Sequence, residues 1–226
     1  MLFILSGNIQ SGKSRWLEHA AARLESEGVV VCGVLAPGVW VDCGPGRSRD
    51  TGAGGGGDWD KRGIYNVLLP GWERLVFARR NDEFISDSGY GGTPGAWMPK
   101  PGDEAKPGLW GFDDSVMDRV NRHFDTLARW AAGEPHPDAD APHLLVADEF
   151  GQFELFMGRG LTSAVAMIDR GATELFPHAL VVVRSELLDA GLERLSPAAE
   201  GWGGMRIIGA DEESFKLLEE YNDLNE

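Results

Sequence analysis

The sequence predicts an α/β fold built on a mostly parallel sheet, and three observations support this prediction. A short apolar run, LFILS, is followed by a glycine-containing loop, an amphipathic stretch and a second apolar run, VVVCGVLA. Further along, apolar runs again alternate with stretches of helical periodicity. The apolar runs are continuous, as is typical of strands buried on both faces. A strand, a helix and a strand in succession favour a parallel pair, because parallel strands need a long crossover.

Each later element is predicted from its own pattern. The first helix follows the glycine loop, carries its apolar residues on one side and is expected to stop at Gly28. The stretch DDSVMDRVNRHFDTLARWAAG is a second helix, with acids in its first turn where the helix dipole favours them. Beyond it we expect the strands HLLVADEF, HALVVVR and MRIIGA and the helices LTSAVAMIDRG, SELLDAGLERL and DEESFKLLEEYNDL.

Two stretches interrupt this alternation. Residues 42–60 are so rich in glycine that they predict a flexible loop, because glycine loses the most backbone freedom on ordering. Residues 61–111 are an insertion, in which GIYNVLLPGWERLVFARR has two β-rich runs about a PGWE turn and predicts a hairpin. Residues 86–111 resemble a loop in composition. We expect a single domain, residues 1–226, that carries both stretches.

Composition restricts the partners of the chain. It has 226 residues, of which 21 are basic and 36 acidic, and the formal charge is −15 without any basic cluster. A nucleic-acid backbone or an anionic membrane is therefore not expected as a partner. The first apolar run is too short for a signal segment or a membrane span, and two cysteines fit a reducing compartment. We expect a cytoplasmic protein with a small ligand.

The stretch GNIQSGKS lies between the first apolar run and the first predicted helix and satisfies the pattern G-x-x-x-x-G-K-[ST]. Its glycines let backbone N–H groups point inward, so that they and the helix N-terminus hold phosphate oxygens. Lys13 is expected to reach the β and γ phosphates, and the Ser14 hydroxyl to ligate Mg²⁺. The predicted nucleotide-contacting residues are Gly7, Asn8, Ile9, Gln10, Ser11, Gly12, Lys13, Ser14 and Arg15. Of these, Arg15 is expected to serve mainly the helix surface.

Two acids follow the apolar run LLVA. Beside a phosphate-binding loop, an acid at the end of such a strand holds Mg²⁺, directly or through water, and Asp148 is predicted to do so. Glu149 is the candidate to orient and deprotonate a water that attacks the γ-phosphate. Arg159 and Arg184 are alternative candidates to spread charge on the leaving diphosphate, because strand ends face the ligand crevice. Either arginine could instead be a salt-bridge partner in this acidic chain.

Several stretches in order resemble the nucleoside-triphosphatase family of thermophilic type: GNIQSGKS, CGVLAP, the KRGIYNVLL…ERLVFARR hairpin, GLWGFDDSVMDRVNRHFDTLA and ADEFGQFELFMGRG. The family's DE-x-G-x-x-E-L signature falls on Asp148, Glu149, Gly151, Glu154 and Leu155. The resemblance implies a three-layer P-loop fold with a RecA-like, mostly parallel sheet and a β-hairpin insertion. We expect the strand order 5-1-4-3-2, with ALVVVR between the phosphate-loop strand and the Asp148 strand. It also implies Mg²⁺-dependent hydrolysis of ATP, GTP and other nucleoside triphosphates to diphosphate and phosphate.

Two other functions fit the same motifs. A small-molecule kinase would use an acceptor hydroxyl in place of water, and Arg79 and Arg80 near a loop keep this possibility open. A nucleotide-binding adaptor or switch in cofactor assembly would use the loops 42–60 and 86–111 as a surface for a protein partner. The guanine signature N-K-x-D does not occur, so a standard GTPase switch is disfavoured.

Overall fold

A computed structural model describes residues 1–8, 11–42, 44, 59–80 and 110–223. Its strands are β1 (Leu2–Gly7), β2 (Val30–Leu35), β3 (Gly38–Asp42), β4 (Trp59–Leu69), β5 (Glu73–Arg80), β6 (Trp110–Phe112), β7 (His143–Ala147), β8 (His178–Arg184) and β9 (Met205–Ile208). Its α-helices are α1 (Lys13–Ser26), α2 (Asp114–Ala131), α3 (Thr162–Arg170), α4 (Leu188–Ala199) and α5 (Glu212–Asp223). A π-helical turn covers Phe153–Met157, and single 3₁₀ turns cover Ser185–Leu187 and Glu200–Trp202.

All the strands of the described residues belong to one sheet, in the order β6-β5-β4-β2-β7-β8-β1-β9, with β3 also paired to β4. From β2 to β9 every neighbouring pair is parallel. The strand HALVVVR, β8, lies between β1 and β7, so this placement is confirmed. The carboxyl ends of β1, β7 and β8 therefore meet at the same edge of the sheet.

The prediction of a RecA-like, mostly parallel sheet is wrong. The strand β4 pairs antiparallel with β2, and β3, β5 and β6 join through further antiparallel pairs. Of the nine strands in the described part of the chain, these four make the sheet mixed, so the fold is α/β only in a loose sense. The other five strands are parallel and follow the predicted order 5-1-4-3-2, which corresponds to β9-β1-β8-β7-β2. The physical reason is that β4 hydrogen-bonds directly to the edge of β2, so the hairpin extends the main sheet.

The hairpin itself is confirmed, since β4 and β5 pair antiparallel on either side of the predicted turn. The glycine-rich loop is narrower than predicted: β3, which the sequence did not predict, extends to Asp42, and β4 already begins at Trp59. The remaining predictions for these stretches concern residues that the structure does not describe. They are residues 43 and 45–58 of the loop, residues 81–109 of the insertion, and Ile9 and Gln10.

The core covers both faces of the sheet, as the alternation along β1 illustrates. Leu2 and Ile4 pack in one apolar cluster with side chains of α2, α3 and α4. Phe3 and Leu5 point the other way and pack with Leu17 of α1 and side chains of α5. These fully buried strand residues hold the carboxyl ends of the parallel strands in place. In the part of the chain that is described, no helix is long and apolar enough to cross a membrane.

Candidate functional site

Apart from Arg15 and Arg159, the predicted phosphate-binding and catalytic residues that the structure describes lie at the carboxyl edge of the parallel strands. The backbone register pairs Gly7, the last residue of β1, with Arg184, the last residue of β8. It also pairs Val181 of β8 with Ala147, which immediately precedes Asp148. The loop, the arginine and the acids are thus side by side, although they come from three distant parts of the sequence.

The glycine loop turns directly into α1, as the motif predicts. Gly12 has a φ of 86°, a left-handed conformation that favours glycine, and α1 begins at the next residue. The N–H of Trp16 donates to Gly12 O at 2.8 Å, which starts the helical ladder, while Ser11 N donates to Asn8 O at 3.2 Å and tightens the loop. The Asn8 side chain accepts from the Ser185 hydroxyl at 2.9 Å, so the loop is also tied to the segment after β8.

Lys13 lies inside this loop and is buried. Its Nζ donates to the carbonyl oxygens of Gly7 and Asn8, both at 2.7 Å, which holds the ammonium over the end of β1. Burial lowers the pKa of Lys13, and the nearby charge of Arg184 acts in the same direction. The charges of Asp148 and Glu186 act in the opposite direction. The ammonium therefore sits in a region where positive and negative groups are already close together.

Asp148 is the most deeply buried acid of the site, with 3% of its surface exposed. Its Oδ2 accepts from Ala36 N at 2.8 Å, and its own N–H donates to Val34 O at 3.0 Å. Burial raises the pKa of Asp148, while the bond from Ala36, the Ser14 hydroxyl and the charges of Lys61 and Lys13 act against this. Ser14, in the first turn of α1, is therefore close to the acid at the end of β7.

Glu149 and Arg184, both predicted as catalytic, form an ion pair between Oε1 and Nη2. Both side chains are only partly buried. Glu149 has a φ of 78°, a left-handed conformation that costs a non-glycine residue about 1–3 kcal/mol. The backbone directly after it is anchored, because Phe150 N donates to Val182 O at 2.7 Å. The strained conformation at Glu149 is therefore held by its neighbours, as is typical of functional positions.

Glu154, a residue of the acidic signature, joins two stretches of backbone through hydrogen bonds. Its carboxylate is buried, and it accepts from Gly151 N through Oε2 and from Leu161 N through Oε1, each at 2.9 Å. Burial raises the pKa of Glu154, and these backbone bonds act against that effect. The two bonds join the ends of the segment that carries the π-helical turn, so Glu154 fixes the chain just beyond Glu149.

Two other predicted residues are not gathered at the centre of the site. Arg159 lies after the π-helical turn, where its backbone N–H donates to Phe153 O at 3.1 Å and its side chain is exposed. Arg15 is exposed on α1, as expected of a residue that serves the helix surface. Arg184 is therefore the predicted arginine that the fold places beside Glu149.

Sequence reasoning missed Lys61, whose charge acts on Asp148 from β4. It also missed Ala36, whose N–H binds the Asp148 carboxylate. Both lie in stretches that carry the family resemblance, CGVLAP and KRGIYNVLL, but nothing in those stretches assigned either residue to the site. Only the antiparallel attachment of β4 to β2 brings Lys61 to this edge of the sheet.

The oxygen groups of the site fit Mg²⁺. The Ser14 hydroxyl and the Asp148 carboxylate are hard oxygen donors, and Oδ1 of Asp148 is not engaged by the Ala36 N–H. Among the described residues there is no group of three or more His, Cys, Asp or Glu side chains that could hold a metal ion. A cage made of protein side chains alone is therefore absent there, whereas Mg²⁺ usually takes one or two protein oxygens together with phosphates and waters.

Comparison with known proteins returned no match of any kind. No family model matches the chain, no curated protein is similar to it, and no solved structure matches its fold. The resemblance to the nucleoside-triphosphatase family of thermophilic type therefore stays a prediction.

Proposed function

We propose that this protein is a Mg²⁺-dependent nucleoside triphosphatase that hydrolyses ATP, GTP or related nucleotides to diphosphate and phosphate. The observation that carries the proposal is the strand register, which brings the end of β1, leading into the glycine loop and α1, beside the ends of β8 and β7, where Arg184 and Asp148 lie. It is supported by Lys13, whose Nζ lies within the loop at 2.7 Å from two of its carbonyl oxygens. A lysine suited to binding phosphate and an acid suited to binding Mg²⁺ thus lie at the same edge of the sheet, as hydrolysis of a metal-bound triphosphate requires.

The residues of the site would divide the work as follows. Backbone N–H groups of the loop and Lys13 would bind the β and γ phosphates, and Ser14 and Asp148 would hold the metal ion. When bound, Mg²⁺ neutralises negative charge on the phosphates. Glu149 accepts a proton from a water whose oxygen bonds to the γ phosphorus, while the bond from that phosphorus to the bridging oxygen breaks and the diphosphate leaves. Arg184, paired with Glu149, orients its carboxylate.

The test is phosphate release from each nucleoside triphosphate with Mg²⁺ and no acceptor, compared between the unchanged protein and Glu149→Gln. We expect the variant to lose about 100-fold or more in rate, because a positioned general base contributes about 10²–10⁴-fold. The variant should still bind nucleotide, since the phosphate grip is untouched. Glu193→Gln, an exposed residue of α4, is the control and should release phosphate at the normal rate.

The other outcomes separate the alternative functions. Tight nucleotide binding without release by the unchanged protein would contradict hydrolysis and favour an adaptor. Transfer of phosphate that appears only when a hydroxyl acceptor is added would favour a kinase. Equal release by the protein and Glu149→Gln would remove Glu149 from the role of general base.

A further inference from the structure

Lys61 was not among the predicted site residues, yet the fold brings it to the same edge of the sheet as the phosphate-binding loop. Only two residues separate the end of β2 from the start of β3. The two strands therefore form one continuous line, which passes Asp148 and extends beyond the parallel strands. Along this line, Val34 O accepts from Asp148 N and Ala36 N donates to the Asp148 carboxylate. The ribbon of β3 and β4 therefore starts directly beside the proposed metal-binding acid.

The Lys61 side chain runs back along this ribbon towards Asp148. In the pairing of β3 with β4, the backbone of Lys61 lies opposite Trp40. Its Cε, however, lies next to Gly38, where a Cβ would be only 2.8 Å away. Residue 38 is two positions nearer to Ala36 than Trp40 is, which is about 7 Å along a strand. The stem of the Lys61 side chain thus runs from the ribbon towards the carboxyl ends of the parallel strands.

The route of this side chain is confined. The same Cβ at residue 38 would lie 2.7 Å from Nε1 of Trp40, so the indole and the Lys61 stem both occupy space that only a glycine leaves open. Lys61 is partly buried. A lysine whose stem is already held loses less rotamer freedom when its ammonium binds a ligand.

The order of the strands sets where Lys61 stands relative to the loop. Along the edge, the loop follows β1, Arg184 ends β8, Asp148 follows β7, and the Lys61 ribbon continues β2. Neighbouring strands are about 4.8 Å apart, so Lys61 and the loop approach Asp148 from opposite sides. Phosphates that are held by the loop and reach towards Asp148 present their terminal phosphate to Lys61. The formal charge of −15 makes such local positive groups necessary for an anionic ligand.

We propose that Lys61 binds the γ-phosphate of the nucleotide and makes the site selective for triphosphates over diphosphates. This inference rests on the proposed function. Lys13 grips the phosphates from the loop, and Lys61 contacts the terminal phosphate from the antiparallel half of the sheet. In this arrangement the antiparallel strands supply the part of the binding site that the parallel core does not provide.

The test is binding of a β,γ-imido analogue of ATP or GTP and of the matching diphosphate, each with Mg²⁺, measured by calorimetry. The variants are Lys61→Met, which keeps the apolar stem, Lys61→Gln as a second uncharged variant, and Lys61→Arg, which keeps the charge. Lys216→Met, at an exposed position of α5, is the control. Thermal melting of every variant shows that it is folded.

We expect Lys61→Met and Lys61→Gln to bind the triphosphate analogue about tenfold or more weakly and the diphosphate within about twofold of normal, because one charged hydrogen bond is lost. Lys61→Arg should recover much of the triphosphate affinity, and Lys216→Met should match the unchanged protein. Unaltered triphosphate binding by the uncharged variants, or an equal loss for both nucleotides, would overturn the inference. Failure of the unchanged protein to bind either nucleotide would instead contradict the proposed function itself.

Discussion

At the scale of single residues, Glu154 shows how a buried charge can be tolerated. Both of its carboxylate oxygens accept backbone N–H groups, one from Gly151 and one from Leu161. Gly160, which precedes Leu161, has a φ of 76°, and a Cβ at that position would overlap the Glu154 Oε1. The Glu154 carboxylate can therefore occupy this position only because residue 160 is a glycine. Together they hold the segment that follows Glu149.

Gly160→Ala should destabilise the protein by about 1–3 kcal/mol more than Gly158→Ala, because the displaced carboxylate leaves the buried Leu161 N–H without its acceptor. Gly158 is the matched control: its φ of 60° is also left-handed, but a Cβ there meets nothing within 4 Å. Its substitution should cost only the strain of about 1–2 kcal/mol. Chemical denaturation measures both losses, and equal losses would show that the tie to Glu154 contributes little to stability.

At the scale of elements, β2 is the strand that joins the two halves of the sheet. Its Gly33 pairs with Val146 of the parallel strand β7 and with Leu69 of the antiparallel strand β4. Gly33 has a φ of 126°, and a Cβ there would overlap the Val146 carbonyl oxygen. The close approach of these two backbones sets the distance between β2 and β7, and hence the position of Asp148 beside Ala36.

Gly33→Ala should cost about 3–5 kcal/mol or prevent folding, because the clash is with backbone that no side-chain rotation relieves. Gly28→Ala is the control, since its φ of 93° is also positive while a Cβ there has open space. The control should lose about 1–2 kcal/mol from strain alone. Denaturation midpoints and the yield of folded protein measure the loss of stability in each variant. Similar losses in the two variants would contradict the proposed clash at residue 33.

At the scale of the whole molecule, two histidines lie at the amino-terminal edge of the parallel strands. His143 begins β7 and His178 begins β8. Burial lowers the pKa of both, that of His178 to about 4, and the Met1 amino group 2.9 Å from its Nδ1 acts in the same direction. The folded protein therefore keeps His178 neutral at a pH at which an unfolded chain would protonate it.

The stability that depends on His178 should fall as the pH drops from about 6.5, the ordinary pKa of histidine, to about 4. Over this interval the unfolded chain binds a proton that the folded protein does not, so protonation favours unfolding, and the contribution is intact above about pH 6.5. The measurement is the free energy of unfolding at several pH values for the protein and His178→Asn. The advantage of the unchanged protein should shrink in acid, and a constant difference would contradict the linkage. His19→Asn, exposed on α1, is the control.

The sequence by itself determined most of the helices and strands, though not β3 and β6, and the position of the glycine loop before α1. Continuous apolar runs, helical periodicity and the succession of strand, glycine loop and helix are local patterns, and each is decided by residues close together in the chain. For the same reason the placement of Asp148 at the end of a buried strand could be predicted. The position of β8 between β1 and β7 was expected from the resemblance to a known family and not from a local pattern. The right-handed crossover of parallel units restricts such orders to a few.

Only the tertiary structure decided that the sheet is mixed and which charges meet at its edge. The attachment of β4 to β2, the pair between Glu149 and Arg184, and the approach of Lys61 to Asp148 all join residues that are far apart in sequence. A β-rich run can pair with any free strand edge, and its local pattern does not say which one. The composition of the proposed site therefore follows from strand pairing, which depends on the packing of the whole chain.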